Sequence, residues 1–469
     1  MILPAAFIAQ LRSLLGQADA DAFFNALQGD ASVSIRMNLR KVQEGMFPLE
    51  AWVPWCPQGR YLSQRPSFTL DPRLHAGAYY VQEASSMFLW HVLRHCVGDC
   101  PVVMLDLCAA PGGKSTLACD ALPEGSLLVS NEVMRARAQV LAENLTKWGN
   151  AWSVVTHNDP ADFSPLVGMF DLILVDAPCS GEGMFRKDAG AVNDWSLEAV
   201  EMCARRQRRI LADIWPCLKP GGWLIYSTCT YNLSENEEQV RWLRDEWGAC
   251  PVSVPVPSEW GITGCLLEGE DLPVYRFLPH KTRGEGFFLS VLQKPVEAEE
   301  EQPPVVRRGN KKGKSGNGTK DRLPSLPKEI MSRAANWLHD PDSYVLMPQG
   351  TGLFAFPLLY KEVLQRLRDS LHLLQAGVLL AEVKGRDLLP THALAMSTAL
   401  RPDAFPRVEV SAEQALAYLR REAIVLPGDA PRGFVLLTCE GLPIGFVKNI
   451  GNRANNLYPA EWRIRKSLP

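Results

Sequence analysis

Between Pro101 and Ser227, short apolar runs alternate with tight turns and helical stretches, and this alternation restricts what the segment can fold into. Val102 to Leu107 reads as a strand, Cys108-Ala109-Ala110-Pro111-Gly112-Gly113 as a tight turn and Lys114 to Leu122 as a helix. Leu127 to Asn131, Val154 to His157, Leu172 to Val175 and Leu224 to Ser227 supply four further strands. Helices from Arg135 to Trp148 and from Asp194 to Trp215 lie between them. Strands separated by helices at this spacing form a parallel sheet covered on both faces, a doubly wound α/β domain. Such sheets hold their ligands just beyond the carboxyl ends of the strands. Asp176-Ala177-Pro178-Cys179 closes one strand and Thr228-Cys229-Thr230 another, so two cysteines and an aspartate are expected in one crevice.

The rest of the chain is organised around that sheet. Pro4 to Gly16 and Asp19 to Gln28 carry apolar residues at helical spacing, with Asp19 or Asp21 able to cap the second helix. Ser32 to Arg40 alternates like a strand, and Trp52-Val53-Pro54-Trp55-Cys56-Pro57 reads as loop or irregular edge. Residues 1–75 are therefore expected to form a small α+β module and 76–295 the doubly wound domain, with Tyr79 to Met87 leading into a helix towards Cys96. At 296–327 an acidic run passes into Arg307-Arg308-Gly309-Asn310-Lys311-Lys312, a composition that cannot bury enough apolar surface to fold alone. This is expected to be a flexible charged linker. Beyond it, helices over Lys361 to Leu374 and Ser411 to Arg421 and strands over Gly377 to Val383, Gly433 to Leu437 and Gly441 to Val447 suggest two small mixed domains, 328–400 and 401–469.

Composition narrows the function classes. The 469 residues, 46% hydrophobic and 22% charged, are those of a soluble, ordered protein. A net charge of −3 means that any nucleic-acid binding must rest on local basic patches. The 12 cysteines are scattered without a Cys-x-x-Cys pair, which points to reduced thiols in the cytoplasm. His91, His95, Cys96 and Cys100 come nearest to a metal cluster but lack a partner cluster, so no metal is expected. No stretch has the length of apolar sequence that spans a bilayer.

The turn after the first strand, Asp106 to Ser115, occupies the cofactor position of a doubly wound sheet. A phosphate loop would need glycine where Cys108 stands, and a dinucleotide fingerprint needs three spaced glycines where only Gly112-Gly113 occurs. A structural turn remains an alternative. The carboxylates that follow discriminate: Glu132 ends the second strand, where an acid accepts from a ribose diol, Asp159 follows the third and can reach an adenine amino group, and Asp176 ends the fourth. Three acids at successive strand ends, without a phosphate site, suit adenosine bearing an amino-acid tail, which is S-adenosylmethionine.

Cys108 to Ser115, Asp176 to Lys187 with its Gly-Glu-Gly-Met-Phe-Arg-Lys extension, and Tyr226 to Thr230 followed by Glu235-Asn236-Glu237 resemble the signature blocks of the Sun/Fmu family of RNA cytosine-5 methyltransferases. Leu389 to Ala395 and the closing Gly441 to Arg463 stretch are similar to the bacterial small-subunit rRNA methyltransferase F group. The resemblance implies a Rossmann-like S-adenosylmethionine-dependent domain preceded by a small α+β module and followed by C-terminal RNA-binding domains ending in a PUA-like barrel. It places the cofactor against Cys108, Ala109, Ala110, Pro111, Gly112, Gly113, Lys114, Glu132, Asp159 and Asp176. It makes Cys229 the nucleophile, with Cys179 aiding release, whereas the Pro-Cys nucleophile of DNA cytosine-5 methyltransferases would be Cys179; Asp176 can also hydrogen-bond the cytosine edge. Carbon 5 of cytosine is a weak nucleophile until a thiolate adds at carbon 6, and this is why the chemistry needs a cysteine.

The expected partner is therefore RNA, small-subunit rRNA or the assembled subunit, bound by a monomer. Arg186 and Lys187 are expected at the RNA backbone and Arg453, Arg463, Arg465 and Lys466 at an accessory RNA surface. The block Arg205, Arg206, Arg208 and Arg209 suits a solvated face as well as phosphate contact. Two other functions remain in play: a tRNA cytosine-5 methyltransferase and a non-catalytic ribosome-assembly factor.

Overall fold

A computed structural model describes residues 2–42, 51–297 and 326–466. The chain divides into two units, the first comprising 1–148, 152–298 and 367–375, the second 149–151, 299–366 and 376–469. Most of the charged segment 296–327, expected as a linker, lies outside the described residues. Among the described residues no helix is long and apolar enough to cross a membrane.

The first unit opens with helices α1 (Ala5–Leu15) and α2 (Gln17–Gln28), which bury Phe7 and Leu11 from one and Ala20, Phe23 and Leu27 from the other, the spacing of one helical face. The second helix starts before its expected aspartate cap. Gly16, at φ 77°, is the N-cap, and Asp19 lies in the first turn, where it pairs with Lys281 at 2.6 Å. A four-stranded sheet follows, built from β1 (Val33–Met37), β2 (Trp52–Val53), β3 (Cys56–Leu62) and β4 (Tyr79–Val81) in the order β2-β3-β1-β4. The Trp- and Pro-containing stretch, expected as loop or irregular edge, is the irregular edge hairpin of this sheet, with a register shift at Trp52/Val53 and the Trp52 ring stacked on the Arg60 guanidinium across the strands. Tyr79-Tyr80-Val81 pairs antiparallel with β1 before the chain reaches the helix Leu89–Cys96.

The large sheet has a parallel centre. β5 (Val103–Asp106), β6 (Leu127–Asn131), β7 (Ser153–Thr156), β8 (Phe170–Asp176) and β9 (Leu218–Thr228) run in the order β9-β8-β5-β6-β7. The strand order turns back at β5, so the crevice that binds ligands in such sheets opens beside β5 and β8. The sheet is mixed rather than wholly parallel. β10 (Cys250–Pro251) and β11 (Val274–Phe277) pair antiparallel with β12 (Phe287–Gln293), which itself lies antiparallel beside β9. At the opposite edge, β13 (Leu373–Ala376) extends the sheet beside β7, where the sequence pattern predicts the end of a helix. The core beneath the crevice is formed by Met104, Leu117, Leu128, Leu141, Leu172 and Leu174, all buried.

The second unit carries two sheets. Tyr344–Gln349, Gly352–Pro357, Val378–Lys384 and Asp387–Pro390 form an antiparallel sheet. Arg407–Glu409, Gly433–Cys439, Leu442–Asn449 and Ala454–Asn456 form the other, in which only the first pair is parallel. The helix Ala412–Leu419 begins with a capping box made by Ser411 and Gln414.

Candidate active site

β8 and β9 are parallel neighbours with Asp176 opposite Ser227, so the residues just past each strand leave the sheet side by side. This register brings Cys179 and Cys229, fifty positions apart in sequence, to a thiol–thiol contact of 3.2 Å. Both are half-buried. Asp176 lies at the same strand end and is held from two sides: Ser227 Oγ donates to Oδ1 at 2.7 Å, and Lys114 Nζ pairs with Oδ2 at 2.8 Å. Lys114 comes from the first turn of the helix Gly113–Ala121, so the turn after β5 and the two cysteine loops meet at this ion pair.

The turn bearing Cys229 is immobilised by the residues that follow it. Asn236 accepts from Thr228 Oγ1 at 2.6 Å and donates to the Thr230 carbonyl at 3.0 Å, bracketing the cysteine. Glu237 pairs with Arg276, both fully buried, and Arg276 Nη1 donates to the Tyr231 carbonyl at 2.6 Å. Gly183 N donates to the Cys229 carbonyl at 2.7 Å, and a Cβ at Gly183 would stand 2.5 Å from that oxygen. Only glycine lets the two loops approach this closely.

The electrostatics separate the two thiols. The Cys179 thiol is pushed well above the ordinary cysteine range, first by its hydrogen bond with Cys229 and then by burial, so it stays protonated. Burial works to lower the Lys114 ammonium, but the adjoining Asp176 carboxylate, with lesser contributions from Asp106 and Cys229, raises it above the ordinary lysine value. Lys114 is thus a permanent cation within electrostatic reach of Cys229. Asp106, fully buried at the end of β5, is raised from 3.8 to about 7 by burial, despite a 2.6 Å hydrogen bond from Ser115 Oγ. Cys108 is driven up by burial and the surrounding carboxylates.

The turn from Cys108 to Gly113 is fixed from the helix Arg135–Trp148. Arg137 Nη2 donates to the Ala110 carbonyl and Asn144 Nδ2 to that of Pro111, each at 2.8 Å. Gly112 takes φ +114° at the N-cap of Gly113–Ala121, a backbone that disfavours side chains. Glu132 is buried at the end of β6; its Oε1 accepts from Met134 N at 2.9 Å and Oε2 lies 3.5 Å from Arg137 Nη1. Asp106, Glu132 and Asp176 interact electrostatically as a ring of carboxylates around the turn, and among the described residues Asp106 Oδ1 has no hydrogen-bond partner. An unpartnered buried acceptor beside further acids fits a ligand that brings an ammonium and a ribose diol.

Two expected site residues have other partners. Asp159 caps the short helix Pro160–Phe163 in a capping box with Asp162, and Arg209 lies 3.5 Å from its second oxygen. Arg186, expected at the RNA backbone, has partners within the protein and also lines the same open groove as Lys187. Its guanidinium donates to Glu285 at 3.0 Å, the Ala26 carbonyl at 3.1 Å and the Gly284 carbonyl at 2.8 Å, and its side chain is 10% exposed. Lys187 is exposed, 3.6 Å from Glu285, and lines an open groove of about 970 Å³ with Arg65 and Arg283. Arg205, Arg206, Arg208 and Arg209 are all exposed, as are Arg453, Arg463, Arg465 and Lys466. The sequence reading assigned no role to Arg137, Ser227 or Asn236. The first lies on the helix after β6 and the other two flank the Thr-Cys-Thr signature, a proximity that could have marked them.

Comparison with known proteins follows the same division of the chain. The family described as 16S rRNA methyltransferase RsmB/F matches residues 99–293, the N-terminal domain of 16S rRNA methyltransferase RsmF matches 3–84, and the methyltransferase RsmF PUA domain matches 405–464. Ribosomal RNA small subunit methyltransferase F of Erwinia tasmaniensis is 32% identical over 480 residues, covering 98% of this chain and 97% of that protein. The protein of the same name from Escherichia coli K12 is 31% identical over 475 residues, covering 98% and 96%. Among solved structures, a methyltransferase homologue protein from Pyrococcus horikoshii is 26% identical with a TM-score of 0.53, covering 62% of this chain and 94% of that one. NSun6 from Pyrococcus horikoshii with SFG shares the fold at 20% identity and a TM-score of 0.51, covering 63% and 98%.

Proposed function

Since this chain belongs to the ribosomal RNA small subunit methyltransferase F family, we propose that it methylates carbon 5 of cytosine in 16S rRNA, with S-adenosylmethionine as cofactor and a covalent Cys229 adduct as intermediate. The observation that carries this reading is the pair of strand-end thiols 3.2 Å apart, beside the Lys114–Asp176 ion pair and facing the turn after β5. A site for direct alkylation or for RNA binding alone needs neither thiol.

When bound, S-adenosylmethionine supplies an electrophilic methyl group. Asp106, Glu132 and the Cys108–Gly113 turn are the groups that would hold it. Cys179 is held protonated by its hydrogen bond with Cys229 and by burial, which leaves Cys229, within electrostatic reach of the Lys114 cation, as the attacking thiol. Its thiolate adds to carbon 6 of cytosine, and the electron pair released across the ring makes carbon 5 the nucleophile for the methyl carbon. Carbon 5 then carries both the methyl group and its original proton. Transfer of that proton to a base, water included, returns the electron pair to the ring and expels the Cys229 thiolate from carbon 6, and the Cys179 thiol, 3.2 Å from Cys229, can donate to the departing sulfur. Asp176, oriented by Ser227 and Lys114, is positioned to accept from the exocyclic amino group of the base.

The substrate test uses purified protein, labelled S-adenosylmethionine, and separated small-subunit rRNA, small subunits and tRNA. Label recovered as 5-methylcytosine in rRNA or subunits supports the reading. Label confined to tRNA moves the substrate, and no transfer to any of them contradicts catalysis. Because ribosomal RNA is made and modified there, this reading places the protein in the cytoplasm.

A further inference from the structure

The two cysteine loops are held by acids exchanged between them. Glu182, three residues after Cys179, is fully buried, and its Oε2 accepts from the backbone N–H groups of Tyr231 at 2.7 Å and Asn232 at 3.1 Å, just past Cys229. Glu235, six residues after Cys229, is equally buried, and its Oε2 accepts from the backbone N–H of Ser180 at 3.0 Å, immediately past Cys179. Asn232 Nδ2 donates to both acids, to Glu182 Oε1 at 3.1 Å and to Glu235 Oε1 at 2.8 Å, so the two clamps share one amide. Gln207 Nε2 completes the grip on the Cys179 loop, donating to Glu235 at 2.8 Å and to the Pro178 carbonyl at 3.1 Å on the other side of the cysteine. Trp195 Nε1 and Gln10 Nε2 complete the shell of Glu182 at 3.0 and 3.3 Å. Burial raises the Glu235 carboxyl above its ordinary value, against the hydrogen bonds from Ser180 and Asn232 that lower it. Among the described residues neither acid hydrogen-bonds to a thiol, and Glu235 acts on Cys179 only as a nearby charge that helps raise it.

We propose that Glu182 and Glu235 are reciprocal positioning residues, each fixing the loop of the other cysteine, and that together they set the thiol–thiol geometry on which attack and release depend. The proposal rests on the covalent mechanism above, and it assigns each acid to a different step. Glu182 holds the backbone beyond Cys229 and so governs attack at carbon 6. Glu235, with Gln207, holds the backbone on both sides of Cys179 and so governs release.

The test uses Glu182→Gln, Glu235→Gln and the volume-conserving Gln207→Met in the full chain, incubated with S-adenosylmethionine and small-subunit RNA. Turnover is read by label transfer, and protein–RNA adduct by denaturing gel. An amide in place of either carboxylate turns a donor towards the N–H groups it should receive, so turnover should fall about tenfold or more in both acid variants. The adduct separates them: Glu235→Gln and Gln207→Met should accumulate it above wild type, whereas Glu182→Gln should form less. Calorimetric affinity for S-adenosylmethionine, unchanged in all three, shows that the fold is intact. If Glu235→Gln fails to fold, Gln207→Met still decides the release half. Adduct moving in the same direction in folded variants of both acids, or wild-type turnover in either, overturns the clamp. Absence of methylation by the wild-type protein overturns the underlying reading instead.

Discussion

At the scale of single residues, the account distinguishes side chains that hold ligand from those that hold the protein. If Glu132 accepts the ribose hydroxyls, Glu132→Ala should weaken S-adenosylmethionine binding by on the order of 2 kcal/mol, and calorimetry at matched thermal stability checks this. An unchanged dissociation constant removes Glu132 from the site. Arg186 and Lys187 are adjacent yet should behave oppositely. Arg186→Ala breaks a buried ion pair with Glu285 and should cost about 3 to 5 kcal/mol of stability, visible as a large drop in Tm. Lys187→Ala should leave Tm alone, weaken RNA binding, and reduce the salt-dependence slope by about one. The sequence placed Cys179, Cys229 and Asp176 together because each ends or closely follows a strand, and left Lys114 in the cofactor turn without its pairing to Asp176. It did not show the internal ties of Arg186, whose partners Ala26, Gly284 and Glu285 are remote in sequence and invisible to any local pattern.

At the scale of elements, the end of β5 carries a cost that varies with pH. Asp106 has a folded pKa of about 7 against an ordinary 3.8, so between these values the folded chain binds more protons than the unfolded one, and stability falls as pH rises through that window. Asp106→Asn removes the titration. Wild-type protein should therefore lose more stability between pH 5 and pH 8 than the variant does, as measured by denaturant midpoints without cofactor; equal losses would contradict a buried, raised carboxyl. The parallel centre of the sheet was legible because each strand is a short apolar run closed by a turn. β10 to β12 were not, since antiparallel additions need no crossover helix to announce them, and β13 was not, since its residues continue the pattern of the preceding helix. Ending the chain near residue 297 leaves the cofactor turn intact but removes β13, together with the bonds that join His372 to His157 and Asn158. Such a chain should still bind S-adenosylmethionine and should show a lower Tm and a tendency to aggregate through the uncovered edge of β7. An unchanged Tm would mean that β13 contributes nothing to the sheet.

At the scale of the molecule, the N-terminal module is part of the catalytic unit rather than an appendage. Phe7 packs on Phe185 and Trp195 at ring separations of 5.0 and 5.6 Å, Phe23 on Tyr231 at 4.8 Å, and Gln10 reaches Glu182. Arg36, fully buried in β1, ion-pairs with Asp120 at 3.0 Å on the helix that carries Lys114. The sequence showed two amphipathic helices but not what they cover, because Phe185, Trp195 and Tyr231 come from three separate loops. All of this scaffolding converges on two thiols with different tasks, so the most direct measurement compares their loss. Cys229→Ala and Cys179→Ala, each expressed in cells and run on a denaturing gel, need no knowledge of the target cytosine because cellular RNA supplies it. The account predicts a shifted, S-adenosylmethionine-dependent protein–RNA band from Cys179→Ala, which attacks and methylates but cannot leave, and none from Cys229→Ala. A shifted band from Cys229→Ala, or full turnover without any band from Cys179→Ala, would contradict it.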